Sequence, residues 1–149
     1  MQKCYLALGC FWKPEETFRN IKGIVETEVG YAGGKNNKVT YEEICTGNTG
    51  HAETVKVTFD EKFISFEKIL EYFFNIHDPT QKDMQYPDVG TQYRSEIFYE
   101  NEGQKKIAEK YKKLFNEKIS GKIETKISEL KNYCKAEEYH QKYIMKKGL

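Results

Sequence analysis

Hydrophobic positions along the chain follow two patterns, short apolar or alternating runs and longer runs at helical spacing. The short runs predict β-strands over residues 4–8, 24–29, 53–59, 94–99 and, more weakly, 122–130. Helical spacing predicts helices that begin at Pro14, after Ser65 and at a capping box formed by Asn101 and Gln104, with a last helix over residues 136–147. Strands and helices that interleave in this way indicate one α/β domain over residues 1–149, with a parallel or mixed sheet.

Composition and charge narrow the class of protein. Of the 149 residues, 38% are hydrophobic and 14% are aromatic, which favours a packed core over a disordered chain. The formal net charge of +1 gives no field that would attract nucleic acid or an anionic membrane. No segment approaches the roughly 20 apolar residues of a membrane helix, and the N-terminal residues carry no apolar run before a cleavage site. We therefore expect a cytoplasmic monomer that binds neither nucleic acid nor membrane.

The chain has four cysteines, Cys4, Cys10, Cys45 and Cys134. They form no Cys-x-x-Cys pair and show no zinc-site spacing with a histidine, so we expect free thiols and no metal. The sequence also lacks a G-x-G-x-x-G fingerprint and a P-loop, so we expect no bound cofactor. The remaining question is whether one of the thiols is a nucleophile.

The tetrad Gly9-Cys10-Phe11-Trp12 places a thiol between the end of a predicted strand and the start of a predicted helix. Unpaired N–H groups and the dipole at a helix N-terminus stabilise a thiolate, so we expect a lowered pKa for Cys10. The only tryptophan and a phenylalanine follow directly and provide walls for an apolar pocket. The alternative interpretation is a buried structural cysteine with two aromatic residues of the core.

Seven segments of the chain, in order, resemble those of the A-type peptide methionine sulfoxide reductases and span nearly its whole length. The first three are Gly9-Cys10-Phe11-Trp12, Val29-Gly30-Tyr31-Ala32-Gly33-Gly34 and Tyr41-Glu42-Glu43-Ile44-Cys45-Thr46-Gly47. The other four are Thr49-Gly50-His51-Ala52-Glu53, His77-Asp78-Pro79-Thr80, residues 88–95 and residues 136–141.

The resemblance implies both a fold and an activity. The implied fold is α/β (α+β), a two-layer sandwich of a mixed β-sheet and packed helices, with a ferredoxin-like plait and irregular loops. The implied activity is thiol-dependent reduction of methionine S-sulfoxide, free or in proteins, to methionine, and hence repair of oxidised proteins. The implied partner is a thioredoxin- or glutaredoxin-like reductant, which dithiothreitol replaces in vitro.

Three residues of the first segment receive roles from the resemblance. Cys10 is implied to be the nucleophile, which becomes a sulfenic acid when the sulfoxide is reduced. Phe11 and Trp12 are implied to hold the S-methyl group of the substrate. With the methyl group fixed there, only the S epimer presents its sulfur to Cys10.

Four further residues are implied to act around the sulfoxide oxygen. Glu53 is the implied acid that protonates this oxygen, and Tyr41 and Tyr93 are the implied hydrogen-bond donors to it. Asp88 is implied to orient the site through water or through the substrate main chain. Because a sulfoxide sulfur is a poor electrophile until its oxygen is protonated, the acid and the hydroxyl groups must converge on that oxygen. Glu53 must therefore be partly desolvated to hold a proton at neutral pH.

The chain departs from the family pattern in two places. Residues 81–87 stand where the family more often has a Gly-Asn pair directly before the aspartate, and they end in Pro87. Many members carry recycling cysteines in a glycine-rich tail after the segment that matches residues 136–141, and this sequence has none there. Cys134 is then the candidate resolving cysteine, because residues 132–135 read as a mobile loop. The alternative is direct reduction of Cys10 by an external thiol.

Two other functions would use the same thiol. A redox sensor needs a reactive Cys10 but no acid and no pair of tyrosines that converge on an oxygen, so these residues together favour the enzyme. A thiol hydrolase would pair Cys10 with His51 or His140, but the sequence shows no Cys-His-Asn signature.

Overall fold

Strands and helices alternate along the structure, a computed structural model that describes residues 1–149. The strands are β1 (Gln2–Leu8), β2 (Ile24–Ala32), β3 (Ala52–Phe59), β4 (Met84–Gln85), β5 (Asp88–Val89), β6 (Ser95–Tyr99), β7 (Lys126–Glu129) and β8 (Cys134–Lys135). The helices are α1 (Trp12–Arg19), α2 (Tyr41–Cys45), α3 (Phe66–Asn75), α4 (Glu102–Lys118) and α5 (Tyr143–Lys147), with single 3-10 turns at Thr91–Tyr93 and Glu138–His140. No helix is both long and apolar enough to cross a membrane.

Six strands form one mixed sheet in the order β7-β6-β1-β3-β2-β8, while β4 and β5 form a separate hairpin. Neighbouring strands of the large sheet are antiparallel except for β6 and β7, which are parallel. Helix α1 connects β1 to β2, and helix α3 lies in the connection from β3 to β6. The mixed α/β class predicted from the sequence is confirmed, and the ferredoxin-like plait stays a prediction.

Alternation along β1 separates the two faces of the large sheet. Cys4, Leu6 and Leu8 lie in the main core, whereas Tyr5 and Ala7 lie in a smaller cluster on the opposite face. The main core also takes apolar residues from three helices, namely Phe18 of α1, Ile69, Leu70 and Phe73 of α3, and Ala108 of α4. These helices therefore cover one face of the sheet. The sheet and the helices form the two layers that the resemblance implies.

Polar side chains begin the helices near the predicted positions. The Ser65 hydroxyl accepts the N–H of Lys68 at 3.1 Å, and the Asn101 side chain accepts the N–H of Gln104 at 2.9 Å. Only one of the two hydrogen bonds of the capping box predicted at α4 is present, the one from the Gln104 N–H to the Asn101 side chain. The Gln104 side chain accepts the N–H of Glu100 instead of closing the box on Asn101.

The single helix predicted over residues 136–147 is wrong. The segment instead makes a 3-10 turn, passes Lys142 in the left-handed region at φ 49° and only then enters α5. The Gln141 side chain accepts the N–H of Val29 at 2.9 Å and donates to the carbonyls of Val29 and Ala136. It therefore pairs with the edge of β2 as a strand residue would, which holds the chain out of a helical path.

Candidate active site

The Cys10 thiol lies at the junction between β1 and α1, as the tetrad predicts. Gly9 precedes it at φ +97°, and a Cβ atom at Gly9 would lie 2.9 Å from Cγ of Gln85. Only glycine combines this backbone conformation with such close packing of the β4–β5 hairpin. The thiol itself is partly exposed, so the junction presents it to a substrate.

The expectation of a lowered pKa for Cys10 is wrong for the resting protein. Burial raises the pKa of Cys10 to about 12, and the nearby charge of Glu53 adds to the effect. A hydrogen bond from the backbone N–H of Trp12, at the start of α1, acts in the opposite direction. The helix terminus thus does favour the thiolate, but the loss of hydration and the neighbouring carboxylate outweigh it.

Glu53 is the buried acid of the site. It lies at the second position of β3, is 2% exposed, and accepts the backbone N–H of Phe11 at 3.2 Å. Burial raises the pKa of Glu53 to about 8, although the bond from Phe11 lowers it. The carboxyl group is therefore mostly protonated at neutral pH, and it lies beside the residue that follows Cys10.

Tyr93 brings a hydroxyl group to the same place from the turn before β6. Burial raises the pKa of Tyr93 to about 12, and the charges of Glu53, Asp88, Cys45 and Cys10 add to the effect in that order. The Tyr93 hydroxyl thus lies within electrostatic range of both the nucleophile and the acid.

Tyr41 is the first residue of α2, and its ring centroid lies 4.7 Å from that of His140. A hydrogen bond with the Cys45 thiol, one helical turn later, is the main cause of its raised pKa. The Glu137 carboxylate fixes its backbone by accepting the Tyr41 N–H at 2.8 Å and the Tyr31 hydroxyl at 2.8 Å. Sequence reasoning assigned no role to Glu137, because its bonds join three distant parts of the chain.

The two aromatic residues after Cys10 are held by other rings. Phe11 is buried, with its ring centroid 5.7 Å from that of Tyr31 and 5.2 Å from that of His140. Trp12 stacks face to face on Tyr143 with centroids 3.8 Å apart. Both rings are therefore packed in fixed orientations, and their role as walls of a methyl pocket stays a prediction.

His140 is a site residue whose position the sequence does not reveal. Its Nδ1 accepts the Trp12 Nε1–H at 3.0 Å, and burial lowers the pKa of His140. The neutral ring therefore carries its proton on Nε2, which is buried and has no hydrogen-bond partner in the protein. The Nε2–H group is a donor enclosed by the rings of Phe11, Trp12 and Tyr41.

Asp88 begins β5, and its side chain borders a cavity of about 650 Å³ that lies between α1 and the β4–β5 hairpin. Cys10 borders the same cavity. The charge of Asp88 contributes to the raised pKa values of both Cys10 and Glu53. The long loop over residues 78–92 thus brings a carboxylate to the nucleophile.

Cys134 lies far from Cys10. It is not in a mobile loop, since it begins β8 and pairs with Tyr31 of β2, and its thiol donates to the carbonyl of Val39 at 3.7 Å. Tyr31 pairs on its other side with Glu53 of β3, so three strand spacings, about 14 Å, separate β8 from β1. A disulfide needs Cα atoms within about 4.4–6.8 Å, so this arrangement favours reduction of Cys10 by an external thiol.

The other candidate groups lie outside the site or carry no catalytic geometry. Cys4 is buried in the core and Cys45 is exposed on α2. Both ring nitrogens of His51 face backbone carbonyls, those of Thr49 and Asn132. His, Cys, Asp and Glu side chains form no group of three that would hold a metal ion.

The fold and this arrangement define a class of protein, an α/β domain with a partly exposed thiol at a strand–helix junction and a buried acid beside it. The particular family follows from comparison with known proteins. The family described as peptide methionine sulfoxide reductase matches residues 2–148. The chain belongs to this family, and it is an oxidoreductase that acts on the sulfur of methionine sulfoxide.

Relatives and solved structures agree over nearly the whole chain. The peptide methionine sulfoxide reductase MsrA of Pelagibacter ubique is 58% identical over 147 residues, which are 99% of this chain and 100% of that protein. The protein of the same name from Methanosarcina acetivorans is 49% identical and covers 99% of this chain and 80% of its own. Reduced Mxr1 from Saccharomyces cerevisiae superposes with a TM-score of 0.95 at 39% identity, over 99% of this chain and 86% of that one. The family and the enzyme class implied by the sequence are confirmed.

Proposed function

We propose that this chain reduces methionine S-sulfoxide at Cys10 and that Glu53 supplies the proton for the sulfoxide oxygen. One observation carries the assignment of the acid: a buried carboxyl group with a pKa of about 8 accepts the backbone N–H of Phe11, the residue after the nucleophile. A group that ionises near the working pH is an effective general acid.

The chemical step balances without any bound cofactor. The Cys10 thiolate attacks the sulfoxide sulfur and forms a sulfur–sulfur bond while Glu53 protonates the oxygen. The resulting hydroxyl group then moves from the substrate sulfur to the Cys10 sulfur, and the sulfur–sulfur bond breaks with its electron pair left on the methionine sulfur. Methionine gains two electrons, Cys10 loses two and carries the hydroxyl group as a sulfenic acid. The proton that Cys10 gave up restores Glu53, so the net proton count does not change.

The raised pKa of Cys10 fits this order of events. The reacting form has a proton on Glu53 and none on Cys10. When Glu53 loses its proton before Cys10 does, the negative charge of its carboxylate raises the pKa of the Cys10 thiol further. A protonated Glu53 removes this repulsion, and the hydrogen bond from Trp12 N–H then supports the thiolate as it forms.

The surrounding side chains select one substrate geometry. In this proposal the hydroxyl groups of Tyr41 and Tyr93 donate to the oxygen, and Phe11 and Trp12 enclose the methyl group. The unpaired Nε2–H of His140 faces the same aromatic enclosure, and we assign it to a polar group of the bound substrate or to a water that bridges to it. With the methyl group and the oxygen fixed on different walls, only the S epimer directs its sulfur to Cys10.

An external thiol then reduces the sulfenic acid. Cys134 is held in β8, which makes it a poor resolving cysteine, although the sequence left that role open. A structure of the related yeast Mxr1 is described as a complex with Trx2. We propose a thioredoxin-like protein as the reductant of this chain, with dithiothreitol as its substitute in vitro.

The competing functions lack structural support. A redox sensor needs a reactive Cys10 but no acid beside it, whereas the buried Glu53 accepts the N–H of the residue after Cys10. A hydrolase needs a histidine base next to the thiol. The ring nitrogens of His51 face carbonyls, and Nδ1 of His140 is occupied by Trp12.

A single-turnover assay tests the proposal. The reduced protein is mixed with excess N-acetylmethionine S-sulfoxide without a reductant, and methionine product and free thiols are counted. We expect one product molecule per chain, the loss of one thiol and a sulfenic acid on Cys10 that a dimedone reagent traps. Equal consumption of the R epimer would contradict the proposed pocket, and absence of product would contradict the function.

A further inference from the structure

The cavity between α1 and the β4–β5 hairpin reaches Cys10 on a side that is not lined by the residues proposed to hold the sulfoxide. Its volume is about 650 Å³, and Cys10 and Asp88 are the only residues that it shares with the proposed catalytic set. Glu53, Tyr41, Tyr93, Phe11 and Trp12 do not border it. Cys10 therefore has one open approach that the groups proposed to hold the sulfoxide do not line.

We infer that this cavity is the route by which the reducing thiol reaches the Cys10 sulfenic acid. The inference rests on the proposed function, and it adds a binding site for a second reactant, a cysteine-type thiolate. Cavities of about 300–1,000 Å³ hold peptide-sized or drug-sized ligands, so the volume suits a thiol carried on a short peptide segment.

The chemistry of the second half-reaction calls for such a route. The thiolate attacks the Cys10 sulfur, a sulfur–sulfur bond forms, the sulfur–oxygen bond breaks and the oxygen leaves as water after taking a proton. A second thiolate then attacks the carrier's sulfur and releases Cys10. The attacking thiolate approaches opposite to the departing oxygen. That oxygen lies among Glu53 and the tyrosines, so the open side of the sulfur is the side that they do not line.

The walls of the cavity are held in place by the fold. The Gln85 side chain packs on Gly9, accepts the N–H of Asp78 at 3.1 Å and donates to the Asp78 carbonyl. The Tyr86 N–H donates to the Gln81 side chain at 2.8 Å. The β4 side of the hairpin is thereby fixed to Gly9 and to residues 78–81, which holds this wall of the cavity in place.

The rim carries a charge and a surface that suit the incoming group. Lys13 borders the cavity from the first turn of α1 and is exposed, so its ammonium group attracts a thiolate. Tyr86, at the hairpin tip, is 78% exposed and gives the carrier of the thiol an apolar contact.

Two substitutions, both outside the residues proposed to hold the sulfoxide, test this route. One narrows the cavity, and the other repels an incoming thiolate. Thr17→Phe adds bulk to the cavity wall from α1, and Lys13→Glu reverses the charge of the rim. Asn20→Phe is the matched control, since Asn20 is an exposed residue at the end of the same helix and lies outside the cavity. Two rates are measured for each variant, the single-turnover formation of methionine and the reduction of preformed Cys10 sulfenic acid by dithiothreitol or by a thioredoxin.

We expect reduction of the sulfenic acid to slow about tenfold in Thr17→Phe, because the route to the sulfur is blocked, and also in Lys13→Glu, because a thiolate is repelled. Methionine formation should stay unchanged in both, and Asn20→Phe should match the wild type in both rates. An unchanged rate of sulfenic acid reduction by dithiothreitol in both variants would overturn the inference. This holds even if reduction by thioredoxin is slowed, because the route itself would then be open. Slower methionine formation would also overturn it, because the cavity would then be the sulfoxide route. Absence of methionine formation in the wild type would instead refute the proposed function.

Discussion

The regions around Cys10 and Cys134 show how differently one fold treats two partly buried thiols. Cys10 lies where a central strand ends and a helix begins, with a backbone N–H donor and a buried carboxyl group beside it. Cys134 lies in a two-residue edge strand, and its thiol donates to the carbonyl of Val39. The first environment changes the pKa of the thiol, while the second only gives the thiol an acceptor. Reactivity is therefore set by what surrounds the sulfur and not by its exposure.

The largest effect should come from removal of the Cys10 sulfur. In Cys10→Ser the hydroxyl group is a far poorer nucleophile at neutral pH, so turnover with dithiothreitol should fall below detection while the far-ultraviolet circular dichroism stays that of the wild type. Activity within tenfold of the wild type would remove Cys10 from the nucleophilic role.

Substitution of the acid should have the next largest effect. Glu53→Gln keeps an acceptor for the Phe11 N–H but has no proton to give, so methionine formation should slow by about 10²–10⁴-fold in single-turnover measurements. An unchanged rate would show that another group protonates the oxygen.

The pH dependence of the rate of methionine formation distinguishes the roles of Cys10 and Glu53. Below pH 8 both Glu53 and Cys10 hold protons, so the population of the reacting form grows with pH. Above pH 8 the pair has already lost one proton, and the reacting form stays a constant fraction until the thiol also ionises. The wild-type rate should therefore rise and level off near pH 8. In Glu53→Gln it should continue to rise with the thiolate, and a wild-type rate that rises steadily to pH 10 would contradict the shared proton.

A smaller effect should follow from loss of the Glu137 carboxylate. Glu137→Gln keeps an oxygen for the Tyr41 N–H and an NH₂ group that can donate to the Tyr31 hydroxyl, but both bonds lose the charge of the carboxylate. The weaker bond to the Tyr41 backbone should loosen Tyr41 and slow methionine formation about tenfold. Glu138→Gln is the control, because the neighbouring Glu138 side chain is 78% exposed. In a Tyr41→Phe background the Glu137→Gln substitution should have little further effect, since it acts through the Tyr41 hydroxyl. Additive losses would assign Glu137 a purely structural role.

The smallest effect should be that of Cys134→Ser, which completes the comparison. Both rates should stay within about twofold of the wild type, because β8 keeps this thiol away from Cys10. Free-thiol counts after one equivalent of sulfoxide should show the loss of one thiol in both proteins. Loss of two thiols in the wild type and one in the variant would instead identify Cys134 as the resolving cysteine.

Local patterns of the sequence predicted much of the fold. The short apolar run over residues 4–8 predicted a strand, and in the structure Leu6 faces the main core and Tyr5 the other side, because a strand exposes its residues to each face in turn. The Ser65 side chain gave the start of a helix, because a cap acts within three residues. Likeness to a family, carried by segments spread along the chain, pointed to Cys10 as the proposed nucleophile and to Glu53 as the proposed acid.

The rest depends on contacts between distant residues, which a local pattern does not contain. The Gln141 side chain bonds to Val29 and stops a helix that spacing favours. His140 becomes part of the site only because Trp12 donates to it across the fold. The pKa of Cys10 is raised because tertiary packing buries the thiol beside Glu53, which overrides the helix terminus that the sequence does show.

The stacking of Trp12 on Tyr143 makes the enzyme its own optical reporter. Trp12 is the only tryptophan of the chain, so light emitted by indole comes from the active site alone. Its ring is fixed two residues from the reactive sulfur, between Tyr143 and the bond to His140. A ligand that displaces water from this ring, or an oxygen atom added to Cys10, changes the emission directly. Binding and both half-reactions can therefore be followed by stopped-flow fluorescence in the unlabelled protein.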